Sequence, residues 1–318
     1  MKNNKEMVEK WKGLKVDLLL QPFNLSTFQL SSTLKYLTVS FLCIVIISSC
    51  YENRSGCLDL RATNFDIDAD RECDNCCIYP QLKLVFEHKL LPDSAANLTY
   101  TTSVYKDGAG NEFRVKDIQF YVSNARLIRA DGTVVAPQDS LLVSIQPPGG
   151  TATRQNIADN VAIINRSNFA AAEMGRFIAT GSFTKIAFTL GLSDVLNQVI
   201  PTSLPDSLVN HPLENTAMYV NADTGFIFNR LQIFNSATAT DTTFTTFRVL
   251  PPNLVNVELP LNANIIEGYH IRVIVRIDYL KWFANVNLKS DSPATVATKI
   301  TNNLRNAFSV TRVEMEGL

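Results

Sequence analysis

YHIRVIVRIDYL, residues Tyr269–Leu280, sets Ile271, Val273, Val275 and Ile277 at every second position. Successive side chains of an extended chain point to opposite faces, so this spacing marks a strand with one face on a core. His270 is out of phase with that row and is expected on the polar side. The same period recurs outward in both directions. In SFTKIAFTLGL (Ser182–Leu192), Phe183, Ile186 and Phe188 stand among polar Thr184, Lys185 and Thr189. In LKLVFEHKL (Leu82–Leu90), Leu82, Leu84, Phe86 and His88 share one face. LTYTTSVY (Leu98–Tyr105), FRVKDIQFYVSNARLI (Phe113–Ile128), SLLVSIQ (Ser140–Gln146), GFIFNRLQIF (Gly225–Phe234), TTFTTFRVL (Thr242–Leu250) and LVNVELPL (Leu254–Leu261) also read as strands,. Turn residues divide them, as in Lys106–Asn111, Ala130–Thr133, Pro147–Gly150 and Pro251-Pro252,. Arg166–Met174 is weakly helical, and Asp194–Leu208 reads as a loop.

A different period appears near the end. Ser292 is suited to cap a helix and Pro293 to occupy its first turn,. Val296, Ile300 and Leu304 then recur every fourth residue, and Phe308 completes the stripe,. The expected fold is all-β: an antiparallel β-sandwich with one C-terminal amphipathic helix packed on it. No internal repeat or interior linker divides it, so residues 81–318 read as one domain,.

Two segments precede that domain. Tyr36–Ile47 is an apolar run behind Lys35, too short for the roughly 20 residues that span a bilayer,. It has the length of a signal-peptide core and ends in Ile47-Ser48-Ser49-Cys50,. An apolar residue, two small ones and a cysteine resemble the lipobox of bacterial lipoproteins, in which the cysteine is acylated and becomes the first mature residue. Residues 1–49 are therefore expected to be a cytoplasmic extension plus lipoprotein signal peptide, with Cys50 the lipid anchor to the membrane. The expected location is the envelope of a Gram-negative bacterium, at the periplasmic or surface face of the outer membrane.

Residues 50–80 hold Cys57, Cys73, Cys76 and Cys77. In an exported chain, four cysteines imply two disulfides. The vicinal Cys76 and Cys77 are not expected to bond to each other, because the small ring strains their peptide bond. Each is expected to reach back, to Cys57 and Cys73. The C-x-x-C at Cys73–Cys76 also fits a thiolate metal site, but no second such pair follows,. Asp59, Asn64, Asp66, Asp68 and Asp70 could supply oxygens to calcium,. The central Gly and terminal Glu of an EF-hand loop are missing, and a solvated turn-rich linker is the other reading.

Composition narrows the function. A formal net charge of −1 gives no pull towards nucleic acid,. No Gly-rich phosphate loop, H-E-x-x-H or nucleophile elbow is present,. Three histidines leave little material for acid–base chemistry, so the chain is not expected to be an enzyme,. His88, His211 and Met218 are the candidate soft metal ligands,.

IQFYVSNARLIRADGT (Ile118–Thr133), FTKIAFTLGLSDVLN (Phe183–Asn197) and HPLENTAMYVNADTGFIFNRL (His211–Leu231), with FEHKL (Phe86–Leu90), resemble the MbnP-like family. This is a family of periplasmic or surface proteins named for a methanobactin-associated copper-binding member. The resemblance implies a β-sandwich that binds copper, in some members through histidine and an oxidised tryptophan made by a di-haem peroxidase-like partner. It places His88 after the first strand and His211 before Pro-Leu, and Met218, Gly225 and Phe226 match the segment that follows. Val220 and Ala222 stand where many relatives have tryptophans, and Trp282 is the one tryptophan after Cys50. The expectation is copper at His88, His211 and Met218 without tryptophan chemistry. The alternative is a metal-free surface binding or assembly module of the same fold.

Overall fold

The computed structural model describes residues 53–90, 93–166 and 171–317. The leader and Cys50 lie outside the described residues. Arg54–Leu318 form one compact unit. Its main elements begin with β1 (Gln81–Leu90), β2 (Glu112–Ile128), β3 (Ser140–Ile145), β4 (Thr153–Ala158) and β5 (Val161–Asn165). Then come β6 (Ala172–Arg176), β7 (Gly181–Leu190), a short helix α1 (Asp194–Asn197), β8 (Asn229–Phe234), β9 (Thr245–Val249) and β10 (Val255–Ile265). The chain continues through β11 (His270–Asp278), α2 (Tyr279–Trp282), α3 (Pro293–Leu304) and β12 (Phe308–Glu316).

Two sheets face each other, as the alternating segments require. One runs β6-β1-β11-β12 and the other β9-β8-β2-β7-β10, with β5 also paired to β2. Ile271, Val273, Val275 and Ile277 of β11 and Leu82 and Leu84 of β1 are fully buried in the core. Opposite them lie Phe120 and Val122 of β2, Ile186 and Phe188 of β7, and Val257 and Leu259 of β10. Phe86 crosses the gap, meeting Phe120 and Phe188 edge-on at centroid distances of 6.1 and 6.2 Å. Ladders in the two sheets are antiparallel apart from β1 with β11, which runs parallel from Leu82 beside Ile271 to Lys89 beside Asp278. The chain builds the whole second sheet between those strands, a connection long enough to allow a parallel return.

Strand β2 is the scaffold. It carries β8 along Arg114–Phe120 and β7 along Val122–Ile128. Tyr121 lies at the changeover: its N–H donates to Phe228 and its carbonyl accepts from Gly191. Just beyond, Thr189 faces Ser123 but Ala187 faces Arg126, so β2 holds one extra residue. That bulge centres on Asn124, in the left-handed region at φ 54°. The core-facing set shifts phase across it, from Phe120 and Val122 to Ala125 and Leu127,. On the other face of β2, Tyr121 joins a second core under the β3–β4 hairpin, with Val143, Ile157, Leu192, Met218, Phe226 and others.

Helix α3 forms as its sequence dictates. Ser292 Oγ accepts from Thr295 N–H at 3.1 Å, and Val296, Ile300 and Leu304 are buried. The helix does not close the chain. Strand β12 follows it, and Phe308 begins that strand. Its ladder with β11 slips between Ile274 and Val275, so the apolar residues run Phe308, Val310, then Val313, Met315. That change of phase breaks the period of two and conceals the strand in the sequence. Ala172–Met174 is also strand, paired with β1, where the sequence suggested weak helix. Of the Leu98–Tyr105 segment, Tyr105 alone enters a strand, and the pairing strand lies earlier at Asp93–Asn97.

The N-terminal segment is closed by disulfides Cys57–Cys77 and Cys73–Cys76, each vicinal cysteine reaching back as expected. The Asn64 amide bridges the Cys76 carbonyl and the Ile78 N–H, at 2.7 and 2.8 Å.

Candidate functional site

His88 lies at the far end of β1, on the apolar face that alternation assigns it. Its Nδ1 is 2.7 Å from the Tyr279 hydroxyl, and the two rings stack at 5.6 Å with planes 10° apart. Tyr279 in turn touches Trp282 at 4.7 Å, and the Arg166 guanidinium sits 4.8 Å above the Tyr100 ring. Burial, with a smaller contribution from Arg166, lowers the His88 pKa to about 4, so the imidazole is neutral at physiological pH,. Trp282 Nε1 and the Tyr100 hydroxyl are buried without a hydrogen-bond partner among the described residues. Sequence reading reached His88 but not its neighbours, because Tyr100, Arg166 and the Tyr279–Trp282 turn of helix come from three separate segments.

His211 is somewhere else. It caps the turn Pro212–Glu214: Nδ1 accepts from Leu213 N–H at 3.2 Å. That acceptor role puts the proton on Nε2, which faces Asp159 Oδ1 at 3.0 Å,. Both ring nitrogens are thus engaged. The pair is not a catalytic base, since the nitrogen that would take a proton already holds a backbone N–H. His211 lines a cavity of about 370 Å³ with Asp139, Asp159, Glu173 and Gln81. Gln81 opens β1 and His88 lies seven residues on, roughly 23 Å along the strand. Met218 has no exposed surface and packs in the second core. A copper ion would need these donors about 2 Å from one point, and the structure does not bring His88, His211 and Met218 together.

His270 was expected on a polar face but is nearly buried, with Nδ1 accepting from Gln81 N–H at 3.1 Å. It begins β11, where the chain of β1 also starts, so a backbone donor arrives beside it. Burial, and then Lys83, lower its pKa.

The carboxylates proposed for calcium are directed to other partners. Asp59 accepts from the Arg61 guanidinium at 2.8 and 3.0 Å and from the Tyr79 hydroxyl at 3.0 Å. Arg61 holds the Asp59 carboxyl far below the usual range. Arg54 takes Asp66 at 3.2 Å and Asp68 at 3.8 Å, and its N–H donates to Asp70. Among the described residues no group of three or more His, Cys, Asp or Glu side chains converges as a metal site would.

Two facing sheets with a disulfide-closed N-terminal segment define an all-β sandwich. The model of the MbnP family matches residues 79–301, and the chain belongs to that family. The solved structure of MbnP from Methylosinus trichosporium is similar at 12% identity and a TM-score of 0.34, covering 64% of this chain and 76% of that one. No curated protein matches.

Proposed function

We propose that the chain is an exported, lipid-anchored MbnP-family protein that binds a ligand at the cell envelope, without a copper site shared by His88, His211 and Met218. The separation of these three residues carries the reading: one is stacked on Tyr279, one caps a turn, and one is sealed in a core. The two disulfides support export, since such bonds persist in an oxidising compartment,. Calcium at Asp59, Asp66, Asp68 and Asp70 is not part of the reading, and neither is a di-haem peroxidase-like partner, since Val220 and Ala222 stand where many relatives have tryptophans. A second reading keeps copper at His88 alone: in the tautomer whose Nδ1–H donates to the Tyr279 hydroxyl, the neutral imidazole keeps the Nε2 lone pair for a soft ion,.

Metal analysis of protein purified from a membrane fraction tests both readings. Ours expects no stoichiometric copper; copper that disappears in His88→Ala alone would establish the second. Mass spectrometry of the same fraction should find acylated Cys50 at the N-terminus. An uncleaved leader would contradict lipid anchoring.

A further inference from the structure

A second cavity has none of these histidines in its lining. It holds about 570 Å³ and is walled by β4 on one side and by Val195 and Leu196 of α1 on another. We propose that it binds an extended, uncharged peptide segment, which adds a strand to the free edge of β4. This rests on the ligand-binding reading above and names the ligand's class.

Three observations point to an extended backbone as the occupant. The first is the edge itself. Gln155, Asn156, Ile157 and Ala158 all line the cavity. Consecutive strand residues point to opposite faces, so a cavity touching four in a row meets the strand's edge. Strand β4 pairs with β3, and among the described residues no ladder uses its other edge. That edge presents backbone donors and acceptors over about 13 Å, the span of four extended residues. Backbone groups of an incoming strand match that row.

The second observation is the absence of charge. Among the described residues no Asp, Glu, Lys, Arg or His lines the cavity. A charged side chain entering it would lose hydration and gain no counter-charge. The floor is polar and in register across three strands, Ser123 facing Thr189 and Thr189 facing Asn256; the buried Ser123 hydroxyl donates to the Gly191 carbonyl, and the exposed Asn256 amide is the group open to a ligand. Thr189 Oγ1 donates to Asn256 Oδ1 at 3.0 Å, which leaves the Asn256 NH₂ for a ligand carbonyl. Leu196, Leu254 and Ile157 add apolar contact.

The third is that the β2 bulge is braced. Asn160 is buried and grips Ala125 through both ends of its amide: Oδ1 accepts from the Ala125 N–H at 3.0 Å, and Nδ2 donates to its carbonyl at 2.8 Å. Its own carbonyl accepts from Asn124 N–H. The brace holds Asn124, an exposed residue of the lining, in its left-handed conformation at the cavity. A bulge fixed in this way aims a polar side chain where a regular strand would not.

The test is nuclear magnetic resonance on the full protein, isotopically labelled. The probe is a pool of acetylated, amidated hexapeptides built from Ala, Val, Ser, Thr, Asn and Gln. We expect shifts at Gln155–Ala158 and at the Asn124 and Asn256 side-chain amides, with slower hydrogen exchange along β4. A matched pool containing Lys and Glu should bind at least about tenfold more weakly, as should the selected peptide N-methylated at alternate positions. Asn256→Asp, at an exposed position, should weaken binding while leaving the rest of the spectrum in place. Absence of binding, shifts elsewhere, or tolerance of N-methylation would overturn the proposal. So would binding of maltohexaose or cellohexaose in the cavity where the peptides fail, although that result would leave the ligand-binding reading standing. Copper held jointly by His88 and His211 in protein that still binds peptide would remove the copper-free reading and spare the cleft.

Discussion

Single side chains in this protein carry separable physical consequences. His88 is the clearest. Its ordinary pKa of 6.5 falls to about 4 in the folded protein. Between those values the unfolded chain binds a proton that the folded chain does not. Stability therefore falls as pH drops through that window, by about 3 kcal/mol in all. A histidine C–H titration should give a midpoint near the lower value, and denaturation at pH 7 and pH 4.5 should show the slope. His88→Gln should remove this part of the pH dependence. Asn160 makes a different kind of contribution. Asn160→Ala leaves the Ala125 N–H and carbonyl without their partner beside the bulge, and should cost about 2–3 kcal/mol. The midpoint of urea unfolding measures it. Asn160 was not legible as important: nothing in N-V-A-I-I signals that its amide substitutes for a missing strand.

At the level of elements, much was legible where period and burial agree. Strand β10 alternates buried and exposed residues along its whole length, and β1 and β11 put Leu82, Leu84, Ile271, Val273, Val275 and Ile277 into the core at every second position, so alternation located them. Helix α3 shows its cap, its proline and its stripe in sequence order. Strand β12 was hidden because a slip in its ladder shifts the buried phase between Val310 and Val313. The bulge at Asn124 does the same within β2. The cysteine segment was readable because vicinal cysteines restrict the pairing. Cys57 and Cys77 enclose a sequence separation of 20. A loop of that size contributes about 3 kcal/mol by limiting the unfolded chain. The segment's strand pairing is internal, Ser55–Gly56 with Arg71–Glu72, and both disulfides close within it. Reductant should therefore expose residues 54–79 to proteolysis while the β-sandwich resists. Simultaneous loss of both would show that the segment and the sandwich unfold together.

The whole molecule explains why the candidate site was less legible than the fold. A family resemblance supplied His88, His211 and Met218 as a set, and each has a local task visible in the structure. Convergence depends on which sheet, which end and which face a residue occupies, and a periodic pattern does not encode the end. His88 and His211 lie at different ends of β1, and Met218 lies on the far side of β2, in the second core. The cleft along β4 was equally hidden, since its lining is drawn from β2, β4, β7, α1 and β10. Its polar residues are common asparagines and hydroxyls with no motif among them.

This MbnP-family sandwich separates His88, His211 and Met218, so they build no joint copper site. Titration of Cu(I) into the reduced-copper-free protein against a competing chelator tests it directly, with His211→Ala and the double variant His88→Ala/His211→Ala alongside. His211→Ala should retain whatever Cu(I) affinity the unaltered chain has, because that imidazole is committed to Leu213 and Asp159. Stoichiometric Cu(I) binding by the unaltered protein that is lost on His211→Ala, and lost again on Met218→Leu, would contradict it.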